Sequence, residues 1–160
     1  MASRSSHLRL ILLLGAFTAL VPLTIDLYLP AFPKLAEGLK TEPSLVQLSL
    51  TTSLLGIAFG QLVIGALSDI FGRKKPLIIA IGIYVIASVV CAIAPNIWVL
   101  VAARFVQGFS GAGGIVISRS IIRDLYSGSE LTKNVFFISF SNGFGAYLST
   151  HDWWTNFIIY

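Results

Sequence analysis

Gly65-Ala66-Leu67-Ser68-Asp69-Ile70-Phe71-Gly72-Arg73-Lys74-Lys75-Pro76 sets one acid, three bases and two glycines in a short connection between long apolar segments. The preceding run, Leu45 to Leu67, and the following one, Leu77 to Ala94, are both apolar. Crossing a hydrocarbon core of roughly 30 Å takes about 20 helical residues, and both runs approach or exceed that length. A charged turn this tight between two such runs is the pattern of a hinge at a membrane surface.

The rest of the chain has the same character. Of 160 residues, 56% are hydrophobic and only 11% are charged, with a mean hydropathy of +0.85. That composition lies outside the range of ordinary water-soluble domains. Two more runs, Leu8 to Leu29 and Ile97 to Ile117, are long enough to span, and a shorter polar-dotted one, Val135 to Leu148, is a fifth candidate. A bilayer offers no water to backbone amides, so continuous apolar runs imply helices. Barrel strands would show alternating segments of about ten residues, and none occur. The expected fold is all-α and polytopic. Leu8 to Leu29 reads as an uncleaved first helix: it is long for a signal peptide, contains Pro22 and Asp26, and ends without a small-x-small site.

Basic residues mark the cytoplasmic side. With the N-terminus inside, Arg4, Arg9, Arg73, Lys74, Lys75, Arg119, Arg123 and Lys133 are all cytoplasmic, only Lys34 and Lys40 are outside, and Arg104 is within the membrane. The sequence pI near 9.5 then reflects topology, and no nucleic-acid partner is implied. Pro30 to Ser44, with three prolines and mixed charges, reads as a solvated outer loop, and Pro95-Asn96 as a tight outer turn. The inner stretch after Ser118 carries Arg119, Arg123, Asp124 and Glu130 on helical spacing and reads as an extension of the fourth helix.

No enzyme signature is present: there is no nucleophile–base arrangement and no P-loop. Cys91 is the single cysteine, and His7 and His151 stand near opposite ends of the chain, so neither a disulfide nor a metal site is expected. No cofactor is implied.

Small residues form stripes. Gly56 and Gly60 make a G-x-x-x-G step with Thr52 and Ser53 before it and Ile64 after it, and the fourth helix carries Gly108, Gly111, Ala112, Gly113 and Gly114. Such stripes let helix backbones approach in lipid. The fourth-helix stripe implies an interface that is either tightly apposed or moving.

Two ionisable residues lie in costly places, Asp26 and Arg104. A mid-membrane charge costs on the order of 3 kcal/mol on insertion scales, so each should face a cavity or a partner. Measured from the outer helix ends, their depths differ by only about 5 Å at 1.5 Å rise per residue, so one outer cavity can hold both. Gln107 and Gly108 follow Arg104 at i+3 and i+4, extending a polar stripe toward that cavity. Asp26 reads either as a protonatable or cation-sensing group or as an interfacial cap before Pro30. Arg104 reads either as the wall of a polar pocket or as a snorkelling side chain.

These motifs resemble the major facilitator superfamily. Gly65 to Lys75 is similar to its signature loop between helices two and three, and Arg104-Phe105-Val106-Gln107-Gly108 to its fourth-helix motif in drug/proton antiporters. Asp26-Leu27-Tyr28-Leu29-Pro30-Ala31-Phe32-Pro33 and Val116-Ile117-Ser118-Arg119-Ser120-Ile121-Ile122-Arg123-Asp124-Leu125 resemble the Bcr/CflA branch of bacterial multidrug efflux proteins. The resemblance implies a multi-pass protein of the bacterial inner membrane that exchanges protons for small lipophilic or cationic drug-like molecules by alternating access. It implies proton-coupling or substrate-binding roles for Asp26, Arg104 and Gln107. It also implies a conformational-switch loop built on Gly65, Asp69, Gly72 and Arg73, with Asp69 and Arg73 in a charge relay.

Members of that family have twelve helices, in halves that enclose a central site. This chain is expected to supply N-terminal helices of one half over residues 1–133, and to be inactive alone. A competing reading is a small membrane binding or assembly subunit without transport. Residues 134–160 depart from the family's A-P-x-x-G-G helix. Since Trp is TGG and Thr155 begins with A, reading Trp153-Trp154-Thr155 one base later yields Gly-Gly. That stretch is therefore expected to be either a frameshifted tail or an interfacial one anchored by Trp153, Trp154 and Tyr160.

Overall fold

The computed structural model describes the backbone of residues 4–125 and the side chains of residues 11–125. The fifth candidate segment and the 134–160 tail lie outside the described residues. Within them the chain is helical, without a strand: α1 Arg4–Tyr28, α2 Phe32–Gly38, α3 Pro43–Phe71, α4 Lys74–Ala92 and α5 Ile97–Leu125. Four helices are long and apolar enough to cross a membrane, as the sequence predicts.

Local chemistry sets the boundaries. Pro43 opens α3 at a first-turn position, where its missing N–H costs nothing. α3 stops at Gly72, whose φ of 79° few side chains tolerate. The connection to α4 is therefore only Gly72 and Arg73. Asn96 caps α5, its Oδ1 accepting from the Val99 amide at 3.0 Å. α5 runs on to Leu125, carrying Arg119, Arg123 and Asp124 in one continuous helix with Arg104.

The expected outer loop is in fact largely helical. A 3-10 turn, Leu29–Ala31, leads into α2. Pro30 and Pro33 both stand in first turns, where proline starts rather than breaks a helix. Phe32, Leu35, Ala36 and Leu39, spaced one helical face apart, pack on a buried cluster of Tyr28, Val46, Ile97 and Leu100. Reading those prolines as breakers hid that face.

α5 is the axis of the bundle: 61% of its apolar window is buried, against 11–28% for the other spans. Its small residues meet a different neighbour on each side. A methyl group built on Gly108 would strike the Ser53 carbonyl of α3, one on Gly114 would lie 2.8 Å from the Phe17 carbonyl of α1, and one on Gly113 would lie 2.7 Å from the Ala80 Cβ of α4. From the α3 side, methyls on Gly56 and Gly60 would collide with the Phe105 and Phe109 carbonyls. Ser49, Ser53, Gly56, Gly60, Ile64 and Ser68 are the buried stripe of α3, and α3 and α5 make the most extensive contact in the bundle. Of the two readings of the glycine-rich fourth span, the tightly apposed one describes the structure. The opposite faces carry exposed Leu, Ile, Val and Phe side chains, among them Leu62, Ile70, Ile79 and Ile86, as a lipid-facing surface requires.

Backbone contact this close cannot yield as a flexible side chain can. Gly56→Leu and Gly108→Leu are each expected to destabilise the bundle by about 3 kcal/mol or more. Gly82, with nothing near its missing Cβ, is expected to accept alanine without loss. Unfolding of the three variants in detergent, followed by circular dichroism, measures the contrast.

Candidate functional site

Arg104 lies toward the N-terminal end of α5, 7% exposed, with no carboxylate partner among the described residues. Its charge is met by softer partners. The guanidinium carbon stands 3.6 Å from the centroid of the Tyr28 ring of α1, a cation–π contact worth about 2 kcal/mol when desolvated. Tyr28 is held in turn by a 2.5 Å hydrogen bond with Ser49 of α3, and Ser49 donates to the Val46 carbonyl. One guanidinium nitrogen donates to Gln107 Oε1 at 3.0 Å, and the buried Nε has no partner.

Gln107 has only one sensible amide orientation. Arginine cannot accept a hydrogen bond, so Oε1 must face it and Nε2 must face away. Nε2 donates to Ser88 Oγ of α4 at 2.8 Å, and Ser88 donates to the Tyr84 carbonyl. Cys91 Sγ lies 3.8 Å from the same Oε1. Thr24 of α1 and the Tyr84 hydroxyl are 2.5 Å apart. With Gln107, Gly108 and Ser53 they line a narrow recess among the four spans. One arginine thus gathers side chains from α1, α3 and α4 about α5.

Asp26 stands apart from this nest. At 100° per residue it lies about 200° round α1 from Tyr28, so the two cannot share a face. No ion pair joins it to Arg104 among the described residues, and its half-buried carboxylate keeps one oxygen buried without a partner. The two charges are close in depth along their helices, but it is Tyr28 that α1 presents to the guanidinium.

A second polar centre closes the opposite end of the bundle, at the turn between α3 and α4. Arg73, on the turn made by Gly72, pairs with Asp69 at the end of α3. Through Nε it also donates to Asp124 Oδ2 of α5 at 3.0 Å, and it reaches Ser68 Oγ at 2.8 Å. The hydrogen bonds that Arg73 donates to Asp124 and Asp69 push the guanidinium above its already high ordinary range, so it stays cationic. Both acids are solvated, and such pairs contribute under about 1 kcal/mol each to stability; what they fix is geometry. Arg73 ties the end of α3 to the end of α5. Gly65 lies in looser packing than Gly56 or Gly60, with only a Val116 methyl 3.4 Å from its missing Cβ.

Sequence reasoning selected Arg104, Gln107, Asp69 and Arg73, and the structure brings them together in two pairs. It did not select Tyr28, Ser88 or Asp124 as site residues. Tyr28 and Asp124 stood inside the stretches that carry the family resemblance; Ser88 is an isolated polar residue in an apolar helix and gave no signal.

The Major Facilitator Superfamily model matches residues 12–150. An uncharacterized MFS-type transporter of Bacillus subtilis, YdgK, is 52% identical over 127 residues, 79% of this chain and 32% of its own length. A bicyclomycin resistance protein homolog of Haemophilus influenzae is 38% identical over 133 residues, 83% of this chain and 33% of its own. A chloramphenicol resistance protein of Pseudomonas aeruginosa is 37% identical over 127 residues, 79% of this chain and 30% of its own. The chain therefore spans about a third of the length of the curated relatives it matches. No solved structure matches it. With four spanning helices, the signature turn and a family match over most of its length, the chain is a multi-pass membrane protein and belongs to the major facilitator superfamily.

Proposed function

We propose that this chain forms N-terminal helices of a proton-coupled exporter of small drug-like molecules in the bacterial inner membrane, with its N-terminus in the cytoplasm. The observation that carries the proposal is Arg104: a buried cation without a carboxylate, held by Gln107 and Tyr28, with an unused donor at Nε. A desolvated positive charge of this kind raises the cost of any second cation nearby and lowers the cost of an anion. Its field therefore couples the protonation of a nearby acid to the occupancy of the site. Asp26, with one buried oxygen unpaired, is the acid of the outer half suited to take up and release that proton. Relatives named as a bicyclomycin resistance protein homolog and a chloramphenicol resistance protein support drug-like cargo.

The Arg73 centre is the switch in this scheme. Asp69, Arg73 and Asp124 hold the cytoplasmic ends of α3 and α5 together, and exposed ion pairs of small net energy are easily exchanged for others. Residues 1–133 are the transporter portion, and residues 134–160 an atypical tail. Alternating access needs a site enclosed between two halves. The 160 residues alone offer one wall of it and are expected not to move substrate.

Three outcomes are expected. Cysteines placed singly at Lys74 and Lys34 in a Cys91→Ala background should react with a membrane-impermeant maleimide from the cytoplasmic and outer sides respectively; the reverse pattern inverts the topology. In a full-length transporter carrying this segment, Asp26→Asn and Arg104→Gln should each lower proton-driven dye export at least about tenfold with normal membrane insertion. Unchanged export in both removes their coupling role. Asp124→Asn should leave the melting temperature of the bundle within a few degrees while changing transport rate, whereas a wild-type rate would exclude Asp124 from the switch.

A further inference from the structure

We propose that an apolar groove at the cytoplasmic end of α3 and α4 binds an acyl chain of an anionic glycerophospholipid, with Lys75 at the headgroup phosphate. The groove has a volume of about 380 Å³ and is walled by Leu67 and Phe71 of α3, Ile79 and Ile83 of α4, and Phe109 of α5, and Lys75, exposed in the first turn of α4, also lines it. Its one other polar lining residue, Ser110, turns its hydroxyl back to the Val106 and Gln107 carbonyls of its own helix. The interior thus asks for hydrocarbon and offers no polar contact.

Length and charge select the occupant. Lys75 to Ile83 covers about 12 Å along α4 at 1.5 Å per residue, most of the roughly 15 Å depth of one leaflet's hydrocarbon. A chain lying there from the surface inward places its headgroup beside Lys75. Arg73 is taken by Asp69 and Asp124, while Lys74 and Lys75 are exposed and have no ion-pair partner among the described residues. The first turn of α4 contains no acid. A lipophilic cation of the kind proposed as cargo is repelled beside Lys75, whereas an anionic amphiphile is complementary to both parts of the site. The proposal needs only that the chain spans a bilayer, and transport activity does not enter it.

The test uses the 160-residue chain in mild detergent, offered equal amounts of dioleoyl phosphatidylglycerol and dioleoyl phosphatidylcholine, with bound lipid read by native mass spectrometry. The anionic lipid is expected to be retained over the zwitterionic one by about fivefold or more, and Lys75→Gln to cut that preference about fivefold. Ile83→Trp, which fills the groove and leaves the lysines intact, is expected to lower retention of both lipids. Helical circular dichroism reports that each variant folds. Equal retention of the two lipids, an unchanged preference in Lys75→Gln, or undiminished retention in Ile83→Trp overturns the proposal. So does full displacement by oleate at equal concentration, which reassigns the groove to a free fatty acid, or a defined dimer that excludes lipid. None of these results bears on drug export, which the Asp26 and Arg104 variants read separately.

Discussion

The bundle depends on the seam where α3 and α5 meet with nothing between their backbones. Gly56, Gly60 and Gly108 remove the Cβ atoms that would otherwise hold the helices apart. Two serines of the stripe satisfy themselves within their helix, Ser68 on the Gly65 carbonyl and Ser49 on that of Val46. In lipid there is little hydrophobic drive for helix association, so close van der Waals contact along such a seam is the principal source of cohesion. With α3 and α5 locked in register, the remaining glycines of α5 receive α1 and α4 on its other sides.

Both polar centres sit at the ends of this seam, and they differ in kind. At one end Arg104 is buried, so its charge must be met by groups already in place, and an aromatic face, an amide oxygen and a hydroxyl chain supply them. A buried cation without a counter-charge is costly in a membrane, so these neutral partners are needed to hold it. At the other end Arg73 has two full carboxylates, but water screens all three groups, so the pairs contribute little energy and much position. One centre stores electrostatic free energy, while the other sets which helix ends lie together.

The fold was legible wherever one helix decides its own fate. Span lengths, the stop at Gly72, the turn at Pro95-Asn96 and the continuation of α5 past Ser118 all follow from apolar run length and local backbone chemistry. The stretch from Pro30 to Ser44 misled because prolines weigh as breakers when counted, yet act as helix starters when they fall in first turns. Its four apolar residues on one face were the better signal.

The site was legible in part for the same reason. Helical spacing alone puts Gln107 beside Arg104, and Asp69 one turn before Arg73. Spacing within a helix cannot say which residue of another helix will face it, since that depends on how each helix is rotated and how deeply it is set. The sequence by itself thus determined the solvent, the limits of the four described spans, and which stripes could pack closely, because these are properties of single segments. Only the tertiary structure decided that Tyr28 rather than Asp26 covers Arg104, that Ser88 completes the amide, and that Asp124, 51 residues away, joins Arg73. Those pairings exist only once backbones in contact have fixed the rotation of each helix against the next.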